Sequence, residues 1–346
     1  MGGSSSKNNL NKQEVSKFWK LNRKILGKGS FAEVRSATKV DEADELRVLF
    51  PHEVAAKIID KSKLSQLDLP NLMDEVDVMG KIKHKGCVKL YEIFQSESHL
   101  VLMLELCRGG ELFERIVKRE AYGEEEASDI MKQAAVSLKY LHEHNIIHRD
   151  LKPENLIFEA ADNNVLKVTD FGLAKYIDPD ETRKQAESCC GSPTYVAPEV
   201  ISETPLYTFA CDIWSLGVIM YIMLCGFPPF YAEEDNYTAL FKQIKKGEFD
   251  FPEPFWDDVS DSAKNLVCKM LTLNPKERIT AEEILQHPWI NGESDGLLTG
   301  PSQKSLGLHI QDGIKNILAQ TRWKKAQGRL KAVRALGRFP VSAAKK

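Results

Sequence analysis

Apolar and polar positions change period several times along the chain, and each change predicts an element. In "ILGKGSFAEV" (Ile25 to Val34) they alternate around Gly27 and Gly29, which predicts strand, tight turn and strand, with bare backbone able to approach a phosphate. "EVAAKII" reads as a strand carrying Lys57, and "NLMDEVDVMGKIKH" sets Leu72, Val76 and Met79 on one helical face with Glu75 free to meet a partner. The longest apolar run, "IWSLGVIMYIMLCGF" from Ile213, is interrupted by Ser and Gly and is short for a membrane span, so it predicts a buried core helix. Near the end, Trp323, Ala326, Leu330 and Val333 form a stripe that Leu336 extends, flanked by Arg and Lys: a basic amphipathic helix over about 320–340. Gly328 and Gly337 each cost about 1 kcal/mol relative to Ala, so this segment is expected to order on binding. "GESDGLLTGPSQKSLG" between the last two regions reads as a linker, and no internal repeat is evident.

Composition adds a charge asymmetry. Hydrophobic residues make up 42% of 346, ordinary for a packed protein, and the first residues lack the charged-then-apolar pattern expected of a signal peptide. Residues 313 to 346 hold ten Lys/Arg and no acid, leaving 37 basic against 50 acidic residues before them. A basic tail on an acidic body can fold back on it or leave it for an acidic partner. Seven scattered Cys without C-x-x-C spacing fit mostly buried thiols in a reducing compartment and argue against a zinc site. The opening "MGGSSS" matches a myristoylation pattern with Gly2 as acceptor, the bland reading being a Gly/Ser leader.

Three strings then occur in one order: "HRDLKPEN" (His148 to Asn155), "DFG" from Asp170 and "APE" from Ala197. With these the sequence resembles the eukaryotic protein kinases over roughly residues 18 to 290, and "GGELFERI" with the basic tail is most similar to the calcium/calmodulin-dependent branch. The resemblance implies an α+β, bilobal fold: a small lobe (18–105) with a five-stranded antiparallel sheet and one main helix, then a mostly helical lobe (106–290). Flanking them are a leader (1–17) and a regulatory tail (291–346). The implied function is ATP- and Mg²⁺-dependent phosphorylation of Ser/Thr, since the Lys of "HRDLKPEN" belongs to the Ser/Thr type of catalytic loop. The opposing class is a non-catalytic adaptor that uses its tail to bind partners or membrane.

Phosphoryl transfer needs charge neutralisation and in-line positioning more than covalent help. By resemblance, Lys57 holds the α and β phosphates and is placed by Glu75; Asp170 and Asn155 bind Mg²⁺; Asp150 orients the substrate hydroxyl and Lys152 steadies the transferring phosphate. Gly27, Lys28, Gly29 and Ser30 cover the phosphates, with Ala32 where the family has a third glycine. Leu26, Val34, Ala55, Leu104 and Ile157 line the base slot, the Glu105–Cys107 backbone bonds adenine, and Glu111 meets the ribose. Glu111 and Glu154 also fall where Arg-seeking relatives hold a substrate Arg three before the phosphoacceptor, so Arg-x-x-Ser/Thr substrates are expected. Arg149 beside Asp150 resembles the subclass switched by activation-loop phosphorylation, with Ser188 as acceptor, whereas Ser192 reads as active-site architecture. Glu199 with Arg278 resembles a structural ion pair, and Asp212 an anchor of the catalytic loop.

The tail's implied partner is calmodulin, with Trp323, Leu330 and Leu336 as anchors and residues near Ile310 to Gln320 across the catalytic cleft beforehand. The chain carries no EF-hand pattern of its own, so calcium has to be sensed by a separate protein. A solvated cationic tail is the plain alternative, and nucleic acid is not expected because it would face an acidic body. The expected location is cytoplasmic, with membrane association through Gly2 and the tail.

Overall fold

The computed structural model describes residues 14–28, 32–40, 50–64, 68–119, 122–177, 192–233, 236–292 and 306–336. Gly2, Gly29, Ser30 and Ser188 lie outside them, as do the side chains of Trp323, Leu330 and Leu336, whose backbone is helical.

A small lobe comes first. Strands β1 (Trp19–Lys28), β2 (Ala32–Lys39), β3 (Glu53–Asp60), β4 (Leu90–Gln95) and β5 (His99–Leu104) form an antiparallel sheet in the order β1-β2-β3-β5-β4. The strands alternate, so the sheet buries both faces. One face packs on α1 (Asp68–Lys81), whose Leu72, Val76 and Met79 are all buried, as their spacing predicts. The other covers a separate small core of Trp19, Ala37, Val54, Ala56, Phe94, Val101 and Met103, over which Phe50 packs its ring on Tyr91.

The large lobe is mostly helical: α2 (Leu112–Lys118), α3 (Glu124–Glu143), α4 (Phe209–Cys225), α5 (Tyr237–Lys246), α6 (Asp261–Met270), α7 (Ala281–Gln286) and α8 (Pro288–Asn291). Short antiparallel pairs, β6 (Ile146–Ile147) with β9 (Lys175–Tyr176) and β7 (Leu156–Phe158) with β8 (Leu166–Val168), carry the loops facing the small lobe. The long apolar run becomes α4, buried from Cys211 to Cys225; a helix that is apolar all round belongs in a core. No helix among the described residues is long and apolar enough to cross a membrane. Glu124, fully buried at the head of α3, accepts from Ser260 N (3.0 Å), the Ser260 hydroxyl and Trp289 Nε1 (2.6 Å), tying α3 to α6 and α8. Cys87, Cys211 and Cys225 are buried free thiols, Cys107 is half-buried and Cys268 is exposed.

The tail departs from the sequence reading. One continuous helix, α9 (Leu308–Leu336), replaces a short helix near 320–340. Its early start has a physical cause: Ile310 and Ile314 are buried against the large lobe, which holds the first turns in helical form. The segment 310–320 packs along α2 and the end of α4.

Candidate active site

Each polar group of the site is held by an element whose sequence explains its position. Lys57 sits mid-strand in β3, opposite Val34 and Leu102, so two neighbours fix its direction. Its Nζ meets Glu75 Oε1 of α1 at 2.9 Å and Asp170 Oδ1 at 3.1 Å. Burial opposes the Lys57 ammonium, but the two carboxylates outweigh it and raise its pKa. Burial likewise pushes the Asp170 carboxyl up, and the Lys57 charge reverses this and leaves it below its ordinary value. Both groups therefore stay charged at neutral pH.

Asp170 has φ of 61°, and Arg149 has φ of 64°, left-handed conformations that are strained for such residues. The strain is held by specific bonds. Thr169 N donates to Asn155 O at 2.9 Å, which sets the start of the "DFG" turn beside the catalytic loop. Phe171 is fully buried against the His148 ring, and His148 Nε2 donates to Thr169 O at 3.0 Å. Beneath the loop, the Asp212 carboxylate accepts from the amides of His148 (2.9 Å) and Arg149 (3.0 Å).

Asp150 stands at the centre. The Ser192 hydroxyl donates to its Oδ1 at 3.0 Å, Lys152 donates to its Oδ2, and Asn155 Nδ2 donates to its carbonyl at 2.7 Å. A carboxylate with a donor on each oxygen, beside a backbone carbonyl tied to Asn155, is pre-aimed and needs little reorganisation when a hydroxyl arrives. The Asn155 amide nitrogen is committed to Asp150, which turns its oxygen away. That oxygen and the Asp170 carboxylate are hard donors of the kind a magnesium ion takes, so the residues present fit the metal.

Around this centre lie the residues expected for the nucleotide. Ala55 and Leu104 are buried and directly paired across β3 and β5; Val34 and Ile157 are half-buried; Leu26, at 45%, is the most open of the set. Lys28 ends β1 and Gly27 opposes Val34. The Glu105 amide donates to Lys89 O at 2.8 Å, so this end of the connecting strand is fixed within the sheet. Burial pushes the Cys107 thiol up to about 12, which makes it a poor nucleophile at neutral pH. Glu111 caps α2 and bridges to Ile157, while Glu154 lies in the turn Pro153–Asn155 that packs on α2. The two glutamates are thus carried on adjoining elements.

Farther out, Arg278 makes a bidentate pair with Glu199 at 2.7 and 2.9 Å and also donates to Ala210 O, Thr272 O and Leu273 O. It fixes the segment after "APE" to the base of the lobe. Two features escape the sequence. Lys167, in the short strand β8, is buried, and Gly313 lies against Gly226; neither was singled out from the sequence.

The family model described as a protein kinase domain matches residues 21–290. The chain is 40% identical over 310 residues to a probable myosin light chain kinase of Dictyostelium discoideum, covering 89% of this chain and 75% of that protein. It is 39% identical over 316 residues to a calcium/calmodulin-dependent protein kinase type 1 of Macrobrachium nipponense, covering 91% and 86%. The Caenorhabditis elegans protein of the same description is 38% identical over 321 residues, covering 92% and 86%.

Proposed function

The chain belongs to the eukaryotic Ser/Thr protein kinases, close to the calcium/calmodulin-dependent kinases, and from this premise we propose a kinase of Arg-x-x-Ser/Thr proteins, restrained by its own tail and released by calcium-loaded calmodulin. The observation that carries the catalytic part is the closed set Glu75–Lys57–Asp170 beside Asp150 with Lys152 and Ser192. Lys57 grips the α and β phosphates of ATP, and Glu75 keeps it from swinging. Asp150 orients the hydroxyl that attacks, and Lys152 offsets charge on the transferring group. Asp170 and Asn155 would hold Mg²⁺, which when bound neutralises phosphate charge. Glu111 and Glu154 recruit the substrate Arg.

The adaptor reading is disfavoured because an adaptor has no need of all these groups in one arrangement. The regulatory part is supported by the basic stripe of the tail, by α9 docked on the large lobe, and by relatives named as calcium/calmodulin-dependent. Gln311 Nε2 donates to Arg119 O at 2.8 Å, and Arg322 pairs with Glu114 at 2.7 Å, so α9 climbs α2 toward its Glu111 end and the mouth of the cleft. In this account the tail obstructs the substrate Arg site rather than filling the cleft with residues 310–320.

The test is transfer from Mg-ATP to an Arg-x-x-Ser peptide, with and without calcium and calmodulin. Asp170→Ala, which removes no core volume, is expected to abolish transfer with the fold retained; near-normal turnover would contradict the assignment. For location, we propose a cytoplasmic protein held at anionic membranes by an acylated Gly2 together with the basic tail, because one acyl chain binds only marginally. Gly2→Ala should then lower the membrane fraction in cells, and equal fractions would count against it.

A further inference from the structure

A second buried cation lies outside the catalytic cluster. Lys167, three residues before Asp170, is 5% exposed. Its Nζ donates to Glu105 Oε1 at 2.7 Å, Lys85 O at 3.0 Å and Glu159 Oε1 at 3.2 Å. An ammonium has three donors, so each has found an acceptor. The acceptors come from three places: the strand linking the lobes after β5, the loop between α1 and β4, and the end of β7.

The surrounding bonds extend this knot. The second oxygen of Glu105 accepts from Lys89 N at 3.2 Å, and that of Glu159 from Asn163 Nδ2 at 3.0 Å. Arg108 N donates to Glu159 O at 2.8 Å and Gly109 N to Phe158 O at 2.9 Å. The linking strand is therefore bonded to the β7–β8 hairpin at its far end by backbone and at its near end by Lys167. Burial disfavours the ammonium, but the hydrogen bond and charge of Glu105, with those of Glu159, outweigh it and raise its pKa. A buried lysine is costly unless every donor is matched, and an apolar residue would fill the space without joining these segments.

We propose that Lys167 is a positioning residue for the nucleotide: it holds the Glu105–Cys107 backbone where the adenine base is received. Because it shares its strand with the approach to Asp170, one short segment sets both the base end and the phosphate end of the site. This rests on the reading of Glu105–Cys107 as the base-binding strand. Lys167 touches none of the reacting groups, so its effect is on nucleotide binding and little on the transfer step.

The experiment uses the full chain saturated with calcium and calmodulin, so that the tail is not a variable. Mg-ATP affinity without peptide is measured by calorimetry, kcat and both KM values by peptide phosphorylation, and hydrogen exchange of residues 105–109 with and without Mg-ATP. Lys167→Met is expected to raise the Kd and KM for ATP about tenfold, with kcat within about twofold and the peptide KM unchanged. Adding Glu105→Gln, which removes the stranded carboxylate, should recover part of the loss. If Lys167→Met does not fold, Glu159→Gln removes one partner and should raise the ATP Kd about threefold. An unchanged ATP Kd, or an equal loss in kcat and both KM values, overturns the proposal and makes Lys167 merely structural. Failure of Mg-ATP to slow exchange at 105–109 in the unmodified protein would instead remove the base-strand reading on which it rests.

Discussion

The Asp212 carboxylate, inside the apolar helix α4, accepts from two backbone amides of the catalytic loop and meets His142 Nε2 at 3.1 Å. Burial pushes this carboxyl up, but the His142 hydrogen bond and charge, with His148, outweigh it and hold its pKa below the usual range. A folded-state pKa below the unfolded one contributes stability above the unfolded value of about 4, and that stability is lost as pH falls through the folded value. Asp212→Asn should therefore flatten the acid limb of a plot of Tm against pH, and lower kcat by loosening Asp150. If wild type and variant lose Tm in parallel between pH 6 and pH 3, the account of Asp212 fails. Residues of this kind were legible in the sequence because the chemistry dictates their type and order; in the structure Lys57 joins Glu75 to Asp170, and Asn155 bonds Asp150. Lys167 was not legible, since one lysine in a three-residue strand has no periodic signal, and its burial depends on carboxylates 62 and 8 residues away in sequence.

Among the elements, α9 departs most from its sequence pattern. Gly313 costs an isolated helix about 1 kcal/mol relative to Ala, which argues for a break. Packing reverses the argument. A Cβ at Gly313 would stand 2.3 Å from Gly226 O, and one at Gly226, where φ is +89°, would stand 2.9 Å from Ile310 Cα. Two glycines let α9 and the end of α4 touch backbone to backbone, with Ile310 and Ile314 sealing the contact. Gly313→Ala thus separates two effects: the free helix gains propensity while the docked helix must shift. We expect the variant to show higher activity than wild type before calmodulin is added, and the same activity after. A variant more tightly restrained than wild type would mean that helicity, and not docking, controls the tail. The apolar stripe was readable in the sequence, but where the helix begins was not, because its first turns form through contacts with residues more than eighty positions earlier.

At the scale of the whole molecule, the charge asymmetry and the docked helix belong to one balance. The tail carries ten basic residues after position 312 against an acidic body, and Arg322 meets Glu114 on α2 beside the expected substrate site. Exposed ion pairs of this kind contribute about 0–1 kcal/mol each and weaken with salt, so the burial of Ile310 and Ile314 has to supply most of the attachment. A partner that grips the basic stripe then has only a modest docking energy to overcome. The two-lobed fold with its small antiparallel sheet was legible through the family resemblance that the motifs carry, whereas the strand order was not. Nor was the angle at which the tail leaves the body, since it depends on a match between two surfaces that no local pattern records. The account as a whole is tested most directly by comparing peptide phosphorylation by the full chain and by a chain ending at Gly300, each with and without calcium-loaded calmodulin. We expect the full chain to be nearly silent until calmodulin is added, the shortened chain to be active in both conditions, and Trp323→Ala in the full chain to remain silent throughout. A full chain as active without calmodulin as the shortened one would contradict the account.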